Sequence, residues 1–131
     1  MIIGGIKMDK TNQNVICYMS IDEIDPIRSE YIKRQKLNQI RALLDHLGVA
    51  QKKVYIDEGF EVSAWEKPHL KEIVNRLEKD EFSIFIAGSI FYLGNNFLDS
   101  IEFIKHLVEN NIRVICIDNN LDSAYSLFLN Q

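Results

Sequence analysis

Residues 82–111, FSIFIAGSIFYLGNNFLDSIEFIKHLVENN, decide how this chain is built. Ile84-Phe85-Ile86-Ala87 is an unbroken apolar run of the length and β-branched content expected of a strand buried on both faces. Gly88 and Ser89 leave that strand, and Gly94-Asn95-Asn96 supply residues that tolerate positive φ. From Phe97 the apolar residues Phe97, Ile101, Ile104, Leu107 and Val108 fall on one helical face, and Asn110-Asn111 ends it. A second apolar run, Ile112 to Ile117, follows at once. Strand, helix and strand with short connections imply a parallel, right-handed crossover. In such sheets ligands gather at the carboxyl ends of the strands, here the segment Ser89 to Asn96.

The same grammar extends towards the amino terminus. Val15 to Met19 reads as the first core strand, and Asp25-Pro26 as a helix start, an acceptor at the cap followed by proline at the first helical position. Ile27, Tyr31, Ile40, Leu43, Leu44 and Leu47 keep helical spacing, with a polar stretch at Lys33 to Lys36 where the helix breaks or meets solvent, and Gly48 closes it. Lys53 to Asp57 is a second, short strand, and Glu58 to Ser63 a loop without pattern. Pro68 opens a helix with Leu70, Ile73, Val74 and Leu77 on its apolar side. Asp118 to Ser123 is a turn, and Ala124 to Leu129 a final helical turn or strand. The expected fold is α/β: three layers, doubly wound, with a mostly parallel sheet of four to five strands and helices on both faces. Residues 1–14 form an arm, and residues 15–131 one domain.

Composition narrows the function. The 131 residues are 47% hydrophobic and 26% charged, ordinary for a soluble globular protein, and no apolar run approaches the roughly 20 residues of a membrane helix. The amino terminus lacks the pattern of a signal peptide, so a cytoplasmic location without membrane contact is expected. Cys17 and Cys116 sit inside apolar strands and read as reduced, buried thiols. A net charge of −4 argues against a chain that grips nucleic acid by itself, because neutralising phosphates needs a basic face.

Neither a Walker loop nor G-x-G-x-x-G is present, and His46, His69 and His106 read as surface or helix-end histidines, so no cofactor and no histidine-held metal are expected. Asp22, Asp57 and Asp118 each follow a core strand. Converging, they would hold Mg²⁺ through oxygen ligands; alternatively, aspartate is simply common where strands turn into loops. Tyr18, Ser20 and Asp22 are spaced by two and share a face while the chain is extended. Ser20 is either a nucleophile in need of a base or cation, or a hydroxyl that caps a turn.

From Val15 to Ser123 the chain resembles the catalytic domain of the serine recombinases, the resolvases and invertases. The similarity rests on Ile16-Cys17-Tyr18, Gln39-Ile40-Arg41-Ala42-Leu43, Asp57-Glu58-Gly59, Lys67-Pro68-His69-Leu70 and the gapless run from the third strand to Ile117-Asp118-Asn119. The resemblance implies a serine that attacks a DNA phosphodiester while arginines offset the charge of the transition state. It also sets out where this chain departs. The family ends its first strand in Tyr-x-Arg-x-Ser; here Ser20 takes the arginine place and Asp22 the nucleophile place. The family's Asp-Arg-Leu-x-Arg is replaced by Phe91-Tyr92-Leu93-Gly94-Asn95, so Tyr92 and Asn95 stand at arginine places. Lys67 stands where a further arginine belongs and lacks its bidentate fork, while Gln39 and Asp57 are retained.

The expectation is therefore a recombinase-like domain that has lost strand cleavage and acts through protein contacts, with itself as a homo-oligomer or with another recombinase, and with at most weak DNA binding of its own. The alternatives are an active recombinase or nuclease using Ser20 or a metal held by Asp22, Asp57 and Asp118, and a small-molecule binder sharing the same plan.

Overall fold

The computed structural model describes residues 14–22, 24–49, 51–58, 63–79 and 81–125. Five strands, β1 (Asn14–Ile21), β2 (Gln51–Glu58), β3 (Ile84–Ala87), β4 (Arg113–Cys116) and β5 (Leu121–Asp122), form one sheet in the order β2-β1-β3-β4-β5. The first four are parallel and β5 is antiparallel to β4. Helices α1 (Pro26–Leu47), α2 (Pro68–Glu78) and α3 (Phe97–Glu109) connect the parallel strands, and single 3-10 turns at Ala64–Glu66, Ile90–Tyr92 and Ile117–Asn119 mark the loops. This is the α/β, doubly wound architecture that the sequence predicts. Among the described residues no helix is long and apolar enough to cross a membrane.

The period-two alternation of β1 divides the core. Val15, Cys17, Met19 and Ile21 face α1 together with Ile84, Ile86 and Ile115, while Ile16 and Tyr18 face α2 and α3 with Phe85, Phe103 and Leu107. Burying a side chain such as Phe103 fully is worth about 2–3 kcal/mol, which is why this alternation fixes the register. Burial pushes both the Cys17 and the Cys116 thiol up to about 12, so these are inert core groups.

Helix ends follow local chemistry. Asp25 accepts from the Ile27 amide with Pro26 at the first helical position, and Gly48 ends α1 in the left-handed conformation at φ 67°. The helix runs unbroken through Lys33 to Lys36, and Lys33 and Lys36 pair with Glu58 and Asp118. Two of its expected core positions are corrected: Ile27 is 80% and Tyr31 62% exposed, because the buried stripe runs through Ser29, Ile40 and Leu44 on the opposite side. The buried face of α3 is likewise turned, through Ser100, Phe103, Ile104 and Leu107, leaving Phe97 outside. Strands β1 and β2 are longer than the sequence pattern predicts, and Asn14 opens β1 rather than closing an arm; the rest of that arm lies outside the described residues. So do residues 59–62 and 126–131, which hold most of the patternless loop and of the expected last element.

Candidate functional site

The carboxyl edge of β1 places Tyr18 and Ser20 on one face, and the parallel register sets Asp57 of β2 directly beside Ser20. Asp57 is 2% exposed, so its oxygens must be met from within. The Tyr18 hydroxyl donates to Asp57 Oδ2 at 2.9 Å. His69, in the first turn of α2, brings Nδ1 to 2.6 Å from Asp57 Oδ1, a short polar contact without the alignment of a hydrogen bond. Burial, the charge of Asp57 and the hydrogen bond to it raise the Tyr18 phenol far above its ordinary range, against a lowering hydrogen bond with Ser20. Tyr18 is therefore a permanent donor. Sequence reading missed His69, because its partner lies 12 positions away across a loop and no spacing rule links a strand end to the next helix start.

Lys67 caps α2 and is 2% exposed. Its Nζ donates to Ser20 Oγ at 3.4 Å, so Ser20 is an acceptor for a buried ammonium. Burial lowers the Lys67 pKa, and Asp57, Asp99 and Asp22 pull it back up. A lysine desolvated among three carboxylates is a charge already matched.

The loop after β3 is held by side-chain acceptors. Asn119 Oδ1 receives the Ile90 amide at 2.8 Å, Ser89 Oγ the Phe91 amide at 3.2 Å and Ser100 Oγ the Gly94 amide at 2.9 Å. Asp99 accepts from Asn95 N, Ala64 N and Ser63 Oγ at 2.8–2.9 Å, tying this loop to the segment that leads into α2. Burial would raise the Asp99 carboxyl, but these bonds and nearby Lys67 outweigh it and hold the group below its usual range. Gly94 is required here: a Cβ would stand 2.2 Å from Asp99 Oδ2. The loop presents Phe91, 60% exposed, with its ring 6.0 Å from that of Phe97, and Leu98 is exposed beside them.

Between this loop and α1 lies a cavity of about 260 Å³, lined among others by Ser20, Asp22, Ile32, Lys36 and Ser89. Among the described residues no arginine lines it. Lys36 packs its stem 3.6 Å from where a Gly88 Cβ would be and pairs its ammonium with Asp118. The three strand-end aspartates do not converge: Asp57 serves Tyr18 and His69, Asp118 serves Lys36, and Asp22 stands at the cavity. Among the described residues no group of three or more His, Cys, Asp or Glu side chains could hold a metal ion, which overturns the proposed Mg²⁺ triad.

Of the remaining family positions, Gln39 lines a separate groove of about 300 Å³ against β4 and β5, and Asn95 is exposed, engaged through its amide with Asp99. The side chain of Tyr92 lies outside the described residues. The structure thus brings together Ser20, Asp22, Asp57 and Lys67, with Tyr18 and His69 added, and leaves Gln39 and Asn95 apart.

Residues 19–128 match the family model described as Resolvase, N terminal domain. Among solved structures, the N-terminal catalytic domain of TP901-1 integrase superposes with a TM-score of 0.73 at 19% identity, covering 90% of this chain and 89% of that one. A resolvase family site-specific recombinase from Streptococcus pneumoniae superposes with a TM-score of 0.63 at 14% identity, covering 86% of this chain and 78% of that one. At these identities the two structures speak to the fold. No curated protein matches significantly in sequence.

Proposed function

We propose, from the premise that this chain belongs to the resolvase N-terminal domain family, that it is a serine recombinase-like domain which no longer cleaves DNA and works through protein contacts. One observation carries this reading: the two lysines at the cavity and beside Ser20 are already matched by carboxylates, Lys36 by Asp118 and Lys67 by the acids around it, and among the described residues no arginine lines the cavity. Phosphodiester cleavage by a serine builds negative charge on equatorial oxygens, and preplaced, unspent cations are what lower that barrier. Asp22 at the nucleophile place adds repulsion. The firmly held loop with Phe91 and Phe97 outward supports contact with a protein surface, since exposed aromatics on a preorganised loop lose little entropy on docking.

A second reading has one observation in its favour. Lys67 Nζ lies within reach of Ser20 Oγ, the arrangement of a lysine-assisted serine nucleophile. Incubation with supercoiled plasmid followed by a denaturing gel separates the two. The non-cleaving reading expects neither nicks nor covalent adducts; an adduct abolished by Ser20→Ala would establish the second.

A further inference from the structure

We infer that the groove between α1 and strands β4 and β5 is the docking site of this chain's own segment Leu127-Phe128-Leu129, which covers the sheet in cis. The inference goes beyond the reading of the carboxyl edge and stands whether or not that edge cleaves DNA. Its first support is the uneven cover of the sheet. One face carries both α2 and α3, whereas among the described residues α1 alone packs on the other, through Ile40 and Leu44 against β1, β3 and Ile115 of β4. Past α1 that face opens as the groove of about 300 Å³, where Leu43, Ile115 and Ile117 give an apolar lining. Leu43 and Ile117 are only half-buried, so the groove leaves apolar surface that a covering segment would take out of water.

The course of the chain selects the occupant. Asp122 stands opposite Ile115 in the antiparallel register, and Arg113 lies two residues before Ile115, so both side chains are on the α1 face. Arg113 grips Asp122, and its guanidinium lies 5.8 Å from the centre of the Tyr125 ring. The last described residue is therefore already on that face. Ser123 holds the exit beside β4: its amide donates to the Val114 carbonyl and its Oγ accepts from the Val114 amide, both at 2.8 Å. Four residues beyond Tyr125 span at most about 14 Å, and the groove begins at Asp122, so Leu127 to Leu129 are within reach of it. Chemistry agrees with position. Residues 126–131, SLFLNQ, carry no charged side chain and three large apolar ones, and Asp122, the charged residue in the lining, is committed to Arg113. A cavity of about 150 Å³ holds a benzene ring, so one of about 300 Å³ takes roughly two leucine or phenylalanine side chains. The amino-terminal arm is a poorer candidate. It carries Lys7, Asp9 and Lys10 and joins β1, two strands away from β4.

The test uses the full chain with labelled isoleucine and leucine methyls and a labelled phenylalanine ring. Nuclear Overhauser contacts from Leu127, Phe128 or Leu129 to the methyls of Leu43, Ile115 or Ile117 are expected. They should persist on tenfold dilution and be absent between differently labelled copies in a mixed sample. With Leu127, Phe128 and Leu129 all changed to serine, hydrogen exchange at the paired Cys116 and Leu121 amides should quicken about tenfold or more. The Tyr18 and Phe85 amides, in the centre of the sheet, should keep their protection, which also reports that the variant is folded. Contacts seen only between copies would make a second chain the occupant, and contacts from Ile2, Ile3 or Ile6 would make it the arm; either overturns the inference. So does the absence of any contact in the groove, or unchanged exchange at Cys116 and Leu121 in the variant. None of these outcomes depends on the plasmid assay, so this inference and the non-cleaving reading fail separately.

Discussion

The two ends of the sheet use their cations differently. At the amino end, Arg113 grips Asp122 with Nε and Nη2 at 3.0 and 2.6 Å, and Arg76 reaches Tyr55, Glu81 and Glu72 from Nε, Nη1 and Nη2. At the carboxyl end, where the family places its chemistry, the cations at the cavity and beside Ser20 are lysines, Lys36 and Lys67. A guanidinium is a planar fork that binds two oxygens at once, and an ammonium is a point charge. Here the forks fasten the framework and the point charges are neutralised in place. The comparison teaches that the arginine count of a chain says little about phosphate chemistry; whether an arginine reaches the cavity beside Ser20 decides it.

The largest test of this contrast lies at the lysine end. Asp57→Ala removes the acceptor of Tyr18, the contact of His69 and a counter-charge of Lys67 from a buried position, and is expected to cost about 3–5 kcal/mol, read by urea denaturation. Gly94→Ala forces a methyl onto Asp99 Oδ2, which three donors hold in place, and should cost about 1–3 kcal/mol in the same measurement. At the arginine end, Arg113→Lys keeps the charge but loses the fork, for an expected loss of about 1 kcal/mol. Lys36→Ala should lose no more than about 0.5 kcal/mol, because a partly exposed point-charge pair is worth little. If the last two variants were equally destabilised, the distinction between fork and point charge would fail.

Acid provides a finer comparison. Asp122 and Asp99 are both held below the usual carboxylate range: burial alone would raise them, but their hydrogen bonds, together with the charge of Arg113 beside Asp122 and of Lys67 near Asp99, outweigh it. A carboxyl whose folded pKa is lowered contributes stability that is complete above its unfolded value near pH 4 and is lost as pH falls through the folded value. Melting temperature should therefore be level above about pH 5 and decline below about pH 4, with a shallower decline in Asp122→Asn.

Much of the scaffold was legible because it is written locally. The run Ile84 to Ala87, the Asp25-Pro26 start, Gly48 and Pro68 each act over a few residues, and each lies in the structure where its chemistry predicts. The outward turn of Ile27 and Tyr31 was not legible, because helical spacing shows that a stripe exists and not which of two stripes meets the sheet. Phe97 was misjudged for a related reason: Ser100 is drawn inward by the Gly94 amide and sets the rotation of α3. The site was half legible. Strand-end logic found Ser20, Asp22 and Asp57, and the resemblance supplied Lys67. The contact of His69 with Asp57 and the pairing of Lys36 with Asp118 join segments whose approach only the folded sheet determines.

Strand β5 has two residues and runs against β4. An edge that short offers a neighbouring chain almost no ladder of free amides and carbonyls to copy. Among the described residues, intermolecular sheet growth by strand addition therefore finds little template on that side, and the opposite border is β2, whose exposed lysines Lys52 and Lys53 discourage it.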